Sequence, residues 1–124
     1  MRFTSPLIQF ARTPNRDVEV HGQMISAGEP MAVFYPAANR DPTVFDEPDR
    51  FRIDRVPNRH VGFGIGEHLC LGAHLARMEL QELFGALSRR MKDAEIVAAV
   101  ERSTSSFIGG VKRLPVVVEM EPRS

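Results

Sequence analysis

The residues with the clearest capacity for chemistry lie in one short stretch, HVGFGIGEHLCLG, at residues 60–72. Its alternating glycines permit positive φ angles and a close approach of the backbone to a flat or bulky ligand. The only cysteine of the chain, Cys70, follows them at the start of a segment with helical periodicity. At a helix N-terminus the unpaired N–H groups and the helix dipole favour a thiolate over a thiol. Because a thiolate is a metal ligand or a nucleophile, Cys70 is the first candidate for chemistry.

Two interpretations of this stretch require no special chemistry at the sulfur. Cys70 can be a small buried hydrophobe, with neighbouring glycines that only form turns. The glycines can also form a phosphate-binding loop, but the dinucleotide fingerprint requires glycine at its first, third and sixth positions. The sixth position is Glu67 when counted from Gly62 and Leu69 when counted from Gly64, so this pattern is not met.

Two further interpretations use the sulfur directly. A zinc site can draw on His60, His68, Cys70 and His74, which lie close together, although the chain has no CxxC or HExxH spacing. A cysteine hydrolase needs a histidine base that is oriented by a third group, and the sequence alone does not place one. The residues by themselves leave these alternatives open.

The same stretch resembles the haem-binding signature of the cytochrome P-450 family. The match covers every defined position of that signature: Phe63, Gly66, His68, Cys70 and Gly72. The agreement continues outside the signature, in the family's order, and covers essentially the whole chain. It includes residues 5–8 and 10–13 (the strand beside the haem), 37–42 and 45–51 (the approach to the meander), 71–79 (the start of the proximal helix) and 105–115 (the C-terminal hairpin).

This resemblance implies a haem–thiolate site. Cys70 would be the proximal thiolate ligand of haem b, iron protoporphyrin IX, and its electron donation would favour cleavage of an O–O bond. Phe63 would shield the sulfur, and the glycines would let the loop lie against the porphyrin with backbone N–H groups directed at the sulfur. The haem propionates need cationic or donor partners, for which His68 and Arg12 match the family pattern. The full cofactor-binding set is Arg12, Phe63, Gly64, Gly66, His68, Cys70, Gly72 and Ala76.

The resemblance also implies a reaction and partners. Members of the family insert one oxygen atom of O2 into a lipophilic substrate, here of steroid or fatty acid type, with two electrons from a redox partner. The chain resembles soluble bacterial members, which receive electrons from a ferredoxin and its reductase, and an acidic donor would dock near Arg59, His74 and Arg77. The substrate-lining positions are Leu7, Ile8, Phe107 and Ile108.

Several parts of the family pattern would lie before residue 1. These include the distal helix with its proton-delivery pair, so we expect no catalytic residue on this chain. Arg2 stands where the arginine of a Glu-x-x-Arg clasp belongs, and Arg50 matches its partner in the meander. The glutamate would fall three residues before Arg2, and two arginines without a carboxylate repel each other. We therefore expect one C-terminal haem-binding segment, residues 1–124, without monooxygenase turnover and with an exposed apolar helix face; alternatively it is an inactive haem-binding module or pseudogene product.

The elements that must position this site are an α+β set: small β-hairpins, a long meander, the haem-binding loop and one long helix. Alternation around the His21-Gly22 turn predicts a hairpin within residues 17–25. Residues 31–35 are predicted to form a buried strand, and the polar stretch 39–58 is expected to be an ordered loop. Apolar residues at three- and four-residue steps predict a helix over 71–91. Strands are predicted at 95–100 and 114–120, with a turn over 103–110 between them.

Composition limits the remaining function classes. A chain of 124 residues fits at most one domain, and a single cysteine excludes an internal disulfide framework. Sixteen basic and 16 acidic side chains give a formal net charge of +0, which indicates neither nucleic acid nor anionic lipid as a partner. The sequence shows no membrane-spanning segment and no signal peptide, so we expect a cytoplasmic protein.

Overall fold

The computed structural model describes residues 1–122, which divide into two compact units. The first unit comprises residues 1–62 together with 104–109, and the second comprises residues 63–103 together with 110–122. The strands of the first unit are β1 (Gln9–Arg12), β2 (Val18–Val20), β3 (Gln23–Ile25) and β4 (Met31–Phe34), followed by the short helix α1 (Tyr35–Ala38). The second unit holds the helix α2 (Ala73–Arg90) and the strands β5 (Met91–Ile96), β6 (Glu101–Arg102), β7 (Val111–Arg113) and β8 (Val116–Met120).

The first unit contains two antiparallel strand pairs. Strand β1 pairs with β4, with Gln9 opposite Phe34 and Arg12 opposite Met31. Strands β2 and β3 form the predicted hairpin, whose two turn residues, His21 and Gly22, have φ angles of 50° and 79°. Positive φ at both positions is what a two-residue type I′ turn requires, so the prediction of a hairpin over 17–25 is confirmed.

The first unit also contains a helix that the sequence did not predict. The predicted strand ends at Phe34, and Tyr35 begins α1, which carries a proline in its first turn. Proline suits this position because its missing N–H has no partner within a helix. The Tyr35 N–H donates to the Ile8 carbonyl at 3.0 Å, and the buried Tyr35 side chain belongs to the core. The predicted strand was therefore one residue too long. Its predicted burial is wrong, because Ala32, Val33 and Phe34 are exposed.

In the second unit, the predicted helix is present as α2, somewhat shorter than predicted. Residues 71 and 72 precede it, and Gly72 is its N-cap. Its last turn carries Arg89 and Arg90, whose positive charges interact favourably with the negative end of the helix dipole. The chain then continues without a loop into β5, which pairs with β8, and Met91 lies opposite Met120.

Two strand boundaries of the second unit differ from the predictions. The strand predicted at 95–100 is wrong in position, because β5 begins at Met91 and ends at Ile96, opposite Val116. The strand predicted from residue 114 begins instead at Val116, since Pro115 has no N–H to donate. In the predicted turn over 103–110, Ile108 forms an isolated bridge with Leu7.

Little of the apolar surface is buried. The buried apolar residues among residues 1–122 are Tyr35, Phe45, Phe63 and Ala73. Helix α2 exposes more than half of several large apolar side chains, as the sequence led us to expect: Leu75, Met78, Leu83 and Phe84. None of the helices formed by residues 1–122 combines the length and the apolar character needed to span a membrane.

Candidate functional site

The loop that leads to Cys70 is closed by its own backbone. Gly64 and Gly66 have φ angles of 76° and 69°, in the left-handed region that glycine adopts without strain. The Cys70 N–H donates to the Phe63 carbonyl at 2.8 Å, and the Cys70 carbonyl accepts from the Ala73 N–H at 3.1 Å. Both main-chain groups of Cys70 are thus held in place while its side chain remains exposed.

Cys70 lies just before the positive end of α2. The sequence placed the cysteine directly at a helix start, but the helix begins three residues later, at Ala73. The Ala76 N–H donates to the carbonyl of the N-cap, Gly72, at 2.9 Å. The first turn of α2 carries no acidic residue, so no carboxylate of that turn competes for its N–H groups. This arrangement favours an anionic group near the start of α2.

Open space borders the glycines of the loop. A Cβ atom added at Gly66 or at Gly72 would meet no other atom within 4 Å. The φ angle of Gly72 is −82°, so its backbone conformation does not demand glycine. The neighbouring side chains Ile65, Leu69 and Leu71 are apolar and 76%, 50% and 100% exposed. An exposed thiol, an apolar rim and space beside two glycines fit the flat haem group that the resemblance implies.

Phe63 connects the sulfur-bearing loop to α2. Its side chain is only 9% exposed, and its carbonyl is the acceptor for Cys70. The Arg77 guanidinium carbon lies 4.7 Å from the centre of the Phe63 ring, which is a cation–π distance. Phe63 is therefore fixed to the helix by its ring and to the cysteine by its backbone.

The two predicted propionate partners lie in different units. His68 ends a 3₁₀ turn over Gly66–His68 and is exposed. Arg12 ends β1, where its guanidinium donates to the Ala11 carbonyl at 2.8 Å. Their shared role toward one ligand stays a prediction.

The four predicted substrate-lining residues come together within the first unit, although they are a hundred positions apart in sequence. Leu7 and Ile108 form an antiparallel bridge, and the Ile8 N–H donates to the Phe107 carbonyl at 2.9 Å. The Phe107 and Phe10 rings meet edge to face at 5.2 Å. Phe107 and Ile108 are 44% and 51% exposed, which leaves apolar surface for a ligand.

The clasp residue Arg2 is buried among carbonyl groups. Its guanidinium donates to the carbonyls of Asn39 at 2.7 Å, Pro48 at 2.8 Å and Arg50 at 3.2 Å. Burial lowers the pKa of Arg2, the nearby cations Arg55 and Arg40 lower it further, and Asp49 opposes this shift. Main-chain oxygens thus accept the hydrogen bonds of Arg2 at the place where the family pattern has a carboxylate.

Arg50 contacts Arg2 through its carbonyl, and a second arginine of the same segment, Arg55, is buried. The clasp role of Arg2 and Arg50 stays a prediction. The Arg50 guanidinium lies 3.0 Å from the Glu47 carboxylate on the surface. Arg55 is only 9% exposed and donates to the carbonyls of Asp46 and Glu47 at 2.6 and 3.1 Å. Its Nε is buried and has no hydrogen-bond partner within residues 1–122.

Asn39 and Arg55 are residues that the sequence analysis did not single out. Asn39 is fully buried, and its amide donates to the Ser5 hydroxyl and accepts from the Val61 N–H, both at 2.8 Å. It therefore joins the N-terminal segment to the residues just before the cysteine loop. Its position inside the family-like stretch 37–42 was the available signal.

The structure gives no support to the zinc interpretation within the residues that it describes. No group of three or more His, Cys, Asp or Glu side chains in residues 1–122 is arranged to hold a metal ion. His68, Cys70 and His74 are close in sequence but do not converge. A haem iron needs only one protein donor on its proximal side and is unaffected by this result.

Comparison with known proteins agrees with the resemblance that the sequence showed. The sequence profile of the cytochrome P450 family matches residues 1–92. Cytochrome P450-terp from Pseudomonas sp. is 44% identical over 116 residues, covering 94% of this chain and 27% of that protein. Linalool 8-monooxygenase from Pseudomonas putida is 41% identical over 118 residues, covering 95% of this chain and 29% of that protein.

Solved structures show the same likeness. The crystal structure of CYP108D1 from Novosphingobium aromaticivorans superposes with a TM-score of 0.89 at 42% identity, covering 97% of this chain and 29% of that one. P450BioI, solved in complex with a ligated acyl carrier protein, gives a TM-score of 0.89 at 37% identity, covering 95% of this chain and 31% of that one. The chain therefore spans less than a third of the length of these relatives.

Proposed function

Because the chain belongs to the cytochrome P450 family, we propose that it carries the proximal, thiolate-bearing part of a haem monooxygenase. The observation that carries this proposal is the exposed Cys70 at the end of a loop with two left-handed glycines. Relatives of the chain are named monooxygenases, one acting on linalool and one on steroids. The proposed cofactor is haem b, held through the Cys70 sulfur.

The chain's own residues have distinct tasks in this proposal. Cys70 would supply the sulfur ligand to iron from a position three residues before the start of α2. The open space beside Gly66 and Gly72 accepts the porphyrin. When bound through the Cys70 sulfur, haem would supply the activation of dioxygen. The remaining proposed contacts are Phe63 against the sulfur, Gly64 and Ala76 along the loop and helix start, and His68 and Arg12 at the propionates.

We further propose a lipophilic small molecule as substrate. The apolar cluster of Leu7, Ile8, Phe107 and Ile108 supports this, because burial of apolar ligand surface against it is favourable. Electrons would come from a ferredoxin-type donor with its reductase, in the cytoplasm. The exposed Arg59, His74 and Arg77 would attract an acidic donor.

Absorption spectroscopy tests the haem–thiolate proposal. The purified chain is loaded with haem, reduced and exposed to carbon monoxide, and a thiolate-ligated iron gives a red-shifted Soret band. We expect this band in the wild type and in the control His74→Ser, and its loss in Cys70→Ser. A wild-type spectrum that is unchanged by Cys70→Ser would overturn the proposal.

The second candidate is a haem-binding module without turnover. It concerns the 124-residue chain by itself, which spans less than a third of the length of each of these relatives. We expect the 124-residue chain, supplied with ferredoxin, reductase, reduced nicotinamide, dioxygen and linalool, to form no hydroxylated product. Product formation above a haem-only control would refute this candidate and leave haem binding standing.

A further inference from the structure

Arg77 has an unexpected partner for an exposed residue of α2. Its guanidinium carbon lies 4.7 Å from the centre of the Phe63 ring, and Phe63 is almost completely buried. Among the ion pairs formed by residues 1–122, none includes Arg77. The ring is thus the contact that the structure gives this cation, rather than a carboxylate.

The position of Arg77 on the helix supports a directed contact. Arg77 follows Ala73 by four residues, so the two share one face of α2. Ala73 is 0% exposed, which shows that this face is covered at the start of the helix. A planar, delocalised guanidinium stacks on an aromatic ring better than a lysine ammonium does.

We propose that Arg77 is a positioning residue, which holds the Phe63 ring and thereby the loop that presents Cys70. The Phe63 carbonyl accepts the Cys70 N–H at 2.8 Å, so a displacement of Phe63 is transmitted directly to the cysteine. The path runs from guanidinium to ring, from ring to backbone carbonyl, and from there to the sulfur-bearing residue. This positioning role is additional to the docking of an acidic donor proposed above.

A second consequence rests on the proposed function. If the sulfur ligates haem iron, a fixed positive charge over the neighbouring ring stabilises the more electron-rich, reduced state of the site. Loss of that charge should therefore lower the reduction potential of the iron. The loop-positioning effect needs no haem and is measurable on the chain without cofactor.

The experiment compares Arg77→Met and Arg77→Lys with a control, Arg89→Met, which removes an exposed arginine from the last turn of the same helix. In the cofactor-free chain, hydrogen exchange at the Cys70 amide is followed by NMR. We expect exchange to be roughly two- to fivefold faster in Arg77→Met, as expected for loss of a cation–π contact. Arg77→Lys should fall between this variant and the wild type, and Arg89→Met should match the wild type.

The haem-loaded chain provides the second measurement. We expect a lower reduction potential in Arg77→Met and a value restored to that of the wild type in Arg77→Lys. If Arg77 had a purely structural role, the potential would not depend on the charge at this position. Unchanged Cys70 amide exchange in Arg77→Met would overturn the positioning role even if haem binds. Failure of haem to bind any variant would overturn the proposed function, while the exchange result would still decide the role of Arg77.

Discussion

The guanidinium of Arg2 donates a hydrogen bond to the main-chain oxygen of Asn39 at 2.7 Å, across 37 positions of sequence. The same side chain also bonds the carbonyl of Pro48. One buried cation therefore fixes the polar segment between α1 and the cysteine loop. Since carbonyl dipoles partly compensate its charge, Arg2 remains buried with Arg55 as a close cationic neighbour.

Replacement of Arg2 by methionine should destabilise the chain strongly. Methionine fills similar space but leaves the carbonyls of Asn39 and Pro48 without their donor. Each unsatisfied buried carbonyl costs about 1–3 kcal/mol, so we expect the free energy of unfolding to fall by about 3 kcal/mol. Urea denaturation followed by circular dichroism measures this change.

The control for this prediction is Arg16→Met, since Arg16 is exposed. We expect a change of at most about 0.5 kcal/mol there, as is usual for surface positions. Arg2→Lys should recover only part of the loss, because an ammonium cannot reproduce the fork of the guanidinium. Equal stabilities of Arg2→Met and Arg16→Met would contradict the account of Arg2.

Asn39→Ala should destabilise the chain more than removal of either one of the two hydrogen bonds that the Asn39 side chain makes. The amide bonds both Ser5 and the Val61 N–H, and the residue is completely buried. We expect a loss of about 2 kcal/mol or more in the free energy of unfolding. Ser5→Ala, which removes one of the two bonds, should cost about half as much, and equal costs would show that the bond to Val61 contributes nothing.

The hydrogen bonds to the Asp41 carboxylate predict that the stability of the chain depends on pH. Hydrogen bonds from the Thr43 hydroxyl at 2.6 Å and from the Thr43 N–H at 2.8 Å lower the pKa of Asp41 below its ordinary value of 3.8. Because the folded value is the lower one, the stability that Asp41 contributes is complete above pH 3.8 and is lost as the pH falls through the folded pKa.

NMR titration of the Asp41 carboxyl checks this relation. Thr43→Val removes the hydroxyl but keeps the main-chain N–H, so the pKa of Asp41 should rise toward its ordinary value without reaching it. Thr13→Val, at an exposed threonine outside this turn, should leave the titration unchanged. An Asp41 titration that is the same in Thr43→Val and in the wild type would refute the role of the hydroxyl.

Gly72→Ser separates folding from haem binding. The φ angle of −82° at Gly72 is accessible to serine, and a Cβ atom added there lies in open space. We therefore expect unchanged or slightly increased stability of the cofactor-free chain, but roughly tenfold weaker haem binding, which corresponds to about 1.4 kcal/mol. Gly110→Ser, also in open space, is the matched control, and equal haem affinity in both variants would contradict the proposed place of the porphyrin.

The parts of the fold that the sequence predicted are those with local causes. The β2–β3 hairpin follows from a two-residue turn between alternating residues. Helix α2 follows from apolar residues at three- and four-residue steps. The stretch 60–72 contains left-handed glycines where glycine spacing suggested a special conformation. In each case the pattern and the structure lie within the same short segment.

The parts that were wrong depend on distant partners. Strand β5 starts at Met91 because the chain pairs there with Met120. The sequence of β5 alone does not predict this pairing. Arg50 and Arg55 are both arginines of one polar segment, and only the folded path shows which of them is buried. Asn39 was overlooked for the same reason, since both partners of its amide are more than twenty positions away.

The central claim is that the Cys70 sulfur binds haem iron, and X-ray absorption at the iron edge tests it most directly. For the haem-loaded chain, the account predicts a sulfur atom in the coordination shell of iron, retained in His74→Ser and lost in Cys70→Ser. A shell of nitrogen and oxygen atoms alone in the wild type would contradict it.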